Sequence, residues 1–344
     1  MTNVATIPTP AQAAASSAPE PPAIPSLVRP ADAASTRGGL IYGLAAYAAW
    51  GVFPIYFKTV SGLHTHDPSL TRPISSGELL AHRIVWAIPV LVALIAYKRR
   101  WSEVGAILRS PRTIGTLAIT STLVGSNWLM YIWAVTNGHI VEASLGYFIN
   151  PLVAVAFGVV FFKDRLTRLQ VVGLVIACAG VLYLTVAQGR PPWISLGLAV
   201  SFAVYTLLRK RTTARPIPGL LIETCVLLPV AAGYLALLGV RGEATFFSGS
   251  WRADLLLFLA GGVTIVPLVW FVEAAKRLTM STMGFLQYIS PSGQFLIGVL
   301  MYGEAFTLER AVAFAAIWTA LALYSTSLVR SAHRRRRAPS SENR

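Results

Sequence analysis

Ionisable side chains that sit inside long apolar stretches cost about 2.5–3.5 kcal/mol each to place in a hydrocarbon layer, so each is a functional candidate by default. In this sequence they are His82, Arg83, Glu142, Glu223 and Glu273, and the chemistry such groups serve is gating or coupling. His82 and Arg83 stand one turn into the second apolar run from its outer end, and Glu142 near the outer end of the fourth. Glu223, early in the seventh run, and Glu273, late in the eighth, lie toward the cytoplasm. Lys276 and Arg277 follow Glu273 at helical-pair spacing, so a bland local pair competes with a coupling role. An Arg83–Glu142 pair in the outer half would act as a gate, a substrate contact or a structural staple. Glu223 has basic residues near it only at the inner surface (Arg209, Lys210 and Arg211). Either it snorkels to that interface, or it stays half-buried and unpaired, where desolvation penalises the charged form and suits it to carry a proton.

A second set is uncharged: Trp50, Asn127, Trp128, Tyr147, Asn150, Gln287, Tyr288 and Gln294. Asn150 and Gln287 lie within about one turn of Pro151 and Pro291, where a side-chain amide binds a substrate or caps a carbonyl that proline has released. Aromatic faces accept apolar or cationic substrates, although Trp and Tyr also collect at membrane interfaces for no functional reason. Other chemistries find little support. His64, His66 and Asp67 are metal-ligand types on one outer loop but lack a further ligand, so no metal or cofactor is expected. Cys178 and Cys225 show no CxxC spacing, and no G-x-x-x-x-G-K-[ST] loop exists to bind ATP. Glu78 and His82 share a helix face without a nucleophile nearby. A membrane-embedded enzyme or sensor is thus the second reading, and the first expectation is that the chain is not an enzyme.

The elements that must position these residues follow from composition. Of 344 residues, 55% are apolar and 12% charged, about half the charged share of an average soluble protein. Ten runs are long enough to span a membrane as helices: 39–60, 78–97, 112–136, 139–161, 168–187, 191–209, 219–239, 252–275, 280–302 and 307–329. The net charge of +15 would suggest nucleic acid in a soluble protein, but here it sorts by loop. Of the 29 Lys and Arg, 22 fall on the segments that alternate with the N-terminus and six on the opposite ones, with Arg83 inside a span. By the positive-inside rule both termini are cytoplasmic, so membrane lipid rather than nucleic acid is the expected surface partner. Residues 1–37, rich in Ala, Pro and Ser, read as a disordered tail. Residues 331–344 read as a basic cytoplasmic tail suited to anionic headgroups.

The sequence also matches itself at an offset of 140 residues. Asn150-Pro151, Gly158, Asp164 and Thr167 recur as Ser290-Pro291, Gly298, Glu304 and Thr307, and Pro89 meets Pro229. Two halves, 38–190 and 191–330, follow. Each has five spans, an odd number, so the second enters the membrane inverted. Inverted repeats build secondary transporters whose central site opens alternately to either side, and interrupted helices at matching places, here Pro151 and Pro291, point to that site.

The stretch Glu142-Ala143-Ser144-Leu145-Gly146-Tyr147-Phe148-Ile149-Asn150-Pro151 resembles the RarD family of EamA-type permeases in the drug/metabolite transporter superfamily. Gly125-Ser126-Asn127-Trp128, Tyr302-Gly303-Glu304, the run from Ala45 to Lys58 and Phe285-Leu286-Gln287-Tyr288-Ile289 carry the same resemblance. It covers about residues 38–330 and departs at Lys163-Asp164, where the Gly of the family's Gly-Glu pair is lost. The resemblance implies an all-α membrane protein of ten transmembrane helices in two inverted five-helix repeats with a central cavity. It also implies export of small metabolites or drugs without ATP from a bacterial inner or plasma membrane; family members carry labels of chloramphenicol sensitivity or resistance. A small-molecule substrate is the expected partner, and a homodimer is left open.

Overall fold

A backbone in hydrocarbon has no water to bond, so an isolated apolar run must satisfy its own N–H and C=O groups as a helix. The computed structural model describes residues 33–162, 166–210, 212–275, 277–278, 282–283 and 286–337, and among them the regular structure is helical throughout. The helices are α1 (Ala33–Gly51), α2 (Phe53–Ser61), α3 (Ser76–Tyr97), α4 (Trp101–Leu108), α5 (Pro111–Thr136) and α6 (Ile140–Phe162). After them come α7 (Arg168–Gln188), α8 (Trp193–Lys210), α9 (Pro216–Val240), α10 (Trp251–Ala275), α11 (Ile289–Leu296) and α12 (Leu308–Arg337). Seven stretches are long and apolar enough to cross a membrane: Thr36–Ser61, Ser76–Tyr97, Ile140–Phe157, Arg168–Gln188, Pro216–Val240, Trp251–Ala275 and Leu308–Ser327. Of the other three expected spans, 112–136 is α5, a long helix with Thr120, Ser121, Thr122, Ser126 and Asn127 in its middle. The remaining two hold the shorter apolar helices Trp193–Arg209 and Ile289–Met301.

Local chemistry sets the helix ends. Ser75 caps α3 by accepting from the Glu78 N–H at 3.1 Å, Thr167 and Gln170 form a capping box on α7, and Gly189 ends α7 in the left-handed conformation that glycine adopts without steric cost. Some boundaries differ from the sequence expectation. The first span is two helices that join at Val52, with Pro54 in the first turn of α2. The segment 98–112, expected as a connection between spans, contains α4, whose Val104 and Ile107 are buried. The helix α12 continues to Arg337, into the segment read from the sequence as a basic tail. Pro151 lies inside α6, which runs through it unbroken. Pro291 is not a mid-helix break: α11 starts at Ile289, so the proline falls in the first turn, where no intrahelical partner is lost. The chain turns at Gln287 and Tyr288 just before it.

Packing joins helices far apart in sequence. α12 lies along α7, α6 along α8, α3 against both α9 and α10, α1 against α10 and α11, and α5 against α8 and α9, while α11 also packs on α6. Small residues set the closest approaches, as expected where lipid supplies no hydrophobic drive. A Cβ on Gly261 of α10 would run into the carbonyl group of Trp86 on α3, and one on Gly146 of α6 would lie 2.8 Å from the Ser195 carbonyl oxygen on α8. These contacts bring α3, α5, α6 and α10 together around the buried polar residues.

Candidate functional site

Arg83 is the seventh residue after Ser76, about 10 Å along α3 at 1.5 Å per residue. Its side chain is 4% exposed. The guanidinium lies 4.9 Å from the centre of the Trp128 ring and 5.3 Å from that of Phe57. Its Nε donates to the Thr264 hydroxyl of α10 at 2.9 Å. The rings of Tyr56, Tyr131 and Tyr147 continue this aromatic surround, Tyr56 and Tyr131 against Phe57 and Tyr147 against Tyr131. Tyr131 stacks edge-on against Tyr147 and Phe57, and its hydroxyl is buried without a hydrogen-bond partner. The Tyr56 hydroxyl is spent on the Leu256 carbonyl at 2.7 Å. This centre is therefore one cation in an aromatic surround with most of its donors unspent.

The expected Arg83–Glu142 pair does not form. Glu142 is instead 3.2 Å from Arg310 of α12 and 3.3 Å from its neighbour His139. Those partners lie at the same end of the bundle, whereas Arg83 is a turn or more deeper and turned toward α10. Nearby, Glu304 reaches across 164 residues to take the N–H groups of Ile140 and Val141 at 2.7 and 2.8 Å. Both are orphan donors at the start of α6, and the carboxylate also complements the positive end of that helix.

The opposite end carries a second cluster. Glu223 is 1% exposed and does not snorkel: Thr120 donates to its Oε1 at 2.6 Å, Tyr205 to its Oε2 at 3.5 Å, and Arg209 Nε lies 3.6 Å from Oε1. Arg209, in the last turn of α8, meets it across the short connection to α9. Glu273 lies 2.9 Å from Arg277 and 3.6 Å from Lys98; Lys276 lies outside the described residues, as do Lys163 and Asp164. His82 is buried beside Phe246 and accepts the Trp86 indole N–H on Nδ1 at 3.2 Å.

The uncharged candidates divide between the centre and its supports. Trp128 and Tyr147 belong to the Arg83 surround. Asn127 is buried and spends its amide on the Leu198 carbonyl and the Ser201 hydroxyl, at 3.0 and 2.9 Å, tying α5 to α8. Trp50 packs on Tyr47 and Phe271, and its carbonyl accepts from Gln294 at 3.2 Å. Tyr288 stacks on Phe148 of α6, while Asn150 and Pro151 are half-buried near that contact and Pro291 is buried. Away from the centre, Asp67 accepts from the Ser250 hydroxyl and the Ser69 N–H. The residues that sequence reasoning passed over are Tyr131, Thr264, Thr120 and Arg310. Tyr131 had a local signal, since it follows Trp128 by three residues and so shares its helix face. The others are recognisable only through partners distant in sequence.

Residues 37–186 match the EamA-like transporter family. Multi-pass helical permeases of that type are the class to which this architecture conforms. The chain is 43% identical to Protein RarD of Escherichia coli over 85% of its own length and 95% of that protein's. It is 42% identical to Protein RarD of Streptomyces exfoliatus, covering 87% and 92%. It is also 33% identical to the Chloramphenicol-sensitive protein RarD of Pseudomonas aeruginosa, covering 83% and 92%. A solved crystal structure shares the fold at a TM-score of 0.52 and 22% identity, over 85% of this chain and 98% of that one. The chain belongs to the RarD family of EamA-type permeases.

Proposed function

We propose that this permease exports a small organic solute by alternating access, through ten spans arranged as two inverted five-helix repeats. The packing pattern is the observation that carries the reading. The 140-residue offset pairs α3, α5 and α6 with α9, α10 and α11, and the order of the spans pairs α1 with α8; so matched, the contact of α6 with α8 corresponds to that of α11 with α1. The contact of α3 with α10 corresponds to that of α9 with α5, and that of α1 with α10 to that of α8 with α5. A molecule built this way has two conformations of closely related energy, one the inverted image of the other, and rocking between them exposes a central site to either side. The two polar clusters suit the ends: Glu142 with Arg310 and His139 at the expected outer end, and Glu223 with Arg209 and Thr120 at the expected inner one. Each would have to part for its end to open. The solute would lie between them, among Trp128, Tyr147 and the Phe148–Tyr288 contact beside Pro151 and Pro291, with both termini in the cytoplasm.

Reconstitution of the full chain in proteoliposomes tests this. A panel of small organic solutes, with chloramphenicol included because a relative's name refers to it, is followed with and without an imposed pH gradient. Saturable flux above that of empty liposomes is the expected result. A panel in which no member moves faster than through protein-free vesicles overturns it.

A further inference from the structure

Arg83 is a buried cation without a counter-charge from the described residues. Among the described residues no carboxylate comes within ion-pair distance: Glu78 is taken by Thr245, Glu142 by Arg310 and His139, and Glu223 by Arg209 and Thr120. A guanidinium left so at membrane depth is costly and marks a functional site. Trp128 and Phe57 lie against it, an attraction to ring faces that holds the group without neutralising it. Nε is satisfied by Thr264, and no described acceptor is bonded to the two terminal nitrogens. An independent observation points the same way. The Tyr131 hydroxyl is buried without a partner, and its ring packs edge-on against Phe57, the ring that the guanidinium also faces.

The guanidinium can only donate and the Tyr131 hydroxyl can donate beside it, so a complement that uses both is an acceptor with two oxygens in one plane, the geometry of a carboxylate against a guanidinium fork. A single guanidinium balances a single negative charge, which favours a monocarboxylate over a phosphate dianion. The rings of Phe57, Trp128 and Tyr147 would then carry the apolar body of the ligand. Resting on the carrier reading above, we propose that Arg83, with Tyr131, forms a carboxylate subsite and that the transported solutes are organic monocarboxylates.

The test is direct binding to the purified full-length protein in detergent, followed by tryptophan fluorescence and thermal melting. The probes are acetate, benzoate and indole-3-acetate, each against its neutral amide, together with inorganic phosphate. At least one carboxylate is expected to bind the parent ten or more times tighter than its amide and than phosphate. Arg83→Gln should lose at least tenfold for the carboxylate and little for the amide, and Tyr131→Phe should lose roughly three- to tenfold. Carboxylates that bind no better than their amides, or a folded Arg83→Gln that binds them as the parent does, overturn the subsite. Phosphate as tight as the best carboxylate overturns the monocarboxylate assignment. Should Arg83→Gln fail to fold, Tyr131→Phe and the amide comparison on the parent decide the matter. Flux separates the two readings. Carboxylate binding without transport of any solute overturns the carrier and leaves the subsite; transport of neutral solutes without carboxylate binding does the reverse.

Discussion

The buried ion pair of Glu223 and Arg209 shows how a single residue's role depends on what faces it. With Thr120 and Tyr205 also donating to it, the carboxylate is an acceptor hub joining α5, α8 and α9. Glu223→Gln removes the charge and leaves Arg209 facing a neutral amide, so a loss of roughly 1–3 kcal/mol in stability is expected, read as a lower melting temperature in detergent. The double variant Glu223→Gln with Arg209→Gln should recover most of that loss, because neither partner is then an unpaired buried charge. If Glu223 is in addition the proton-coupling group, the double variant will carry flux that no longer responds to a pH gradient; flux that responds as the parent's does assigns coupling elsewhere. On the surface, the Ser250 hydroxyl, then the Ser69 N–H, hold the Asp67 carboxyl below the usual carboxylate range. A group depressed in the folded state stabilises it above the ordinary carboxylate range and loses that contribution as pH falls through the folded value. Amide protection over residues 245–250, taken relative to the intrinsic exchange rate at each pH, should therefore fall in acid for the parent, with a flatter acid response in Ser250→Ala.

Helices in this fold are fastened where the backbone is exposed or the gap is small. Glu304 satisfies two N–H groups of α6 that no intrahelical acceptor can reach. Glu304→Ala should therefore fray the first turn of α6 at a cost of about 1–2 kcal/mol, with Glu304→Gln losing less because one acceptor oxygen remains. Amide exchange at Ile140 and Val141 would register the difference directly. At the α3–α10 contact, a methyl on Gly261 would meet backbone atoms of Trp86 and Ala87, which move only if a whole helix moves. Gly261→Ala should then destabilise by at least 1–3 kcal/mol, the usual cost of overpacking. Gly233→Ala in α9, where a Cβ meets nothing within 4 Å, should be neutral or stabilise by up to about 1 kcal/mol. Equal melting shifts for the two glycines would show that helix propensity rather than close approach governs this bundle.

For the whole molecule, the alternation of basic segments and the correspondence of helix contacts between spans matched in order support the same proposed arrangement from two directions. A reporter fused after Arg344 should be active only in the cytoplasm, and activity outside would reverse the orientation of both clusters. The exposed apolar side chains that ring the bundle, such as Val160, Val175, Leu182 and Val230, need a hydrocarbon surround. Melting temperatures are therefore expected to rise from detergent to lipid nanodiscs.

Length and apolarity of the runs, the placing of Lys and Arg, and the repeat of proline, glycine and acid at 140 residues are one-dimensional properties, so the chain alone determined a multi-pass helical permease and its family. Interruptions were less legible. Pro291 has the same local sequence cues as Pro151, yet one starts a helix and the other lies within one, because the fate of a proline depends on which neighbours take up the freed carbonyl. The choice of ionic partners was not legible at all. Glu142 meets Arg310 across 168 residues and Arg83 meets Thr264 across 181. Such pairings follow from the depth, rotation and crossing of whole helices, and a shift of one residue rotates a side chain by about 100° around its helix. Tertiary packing alone therefore decided that Glu223 is paired, that Glu142 belongs to an end cluster, and that Arg83 stands among rings with no carboxylate of the described residues beside it.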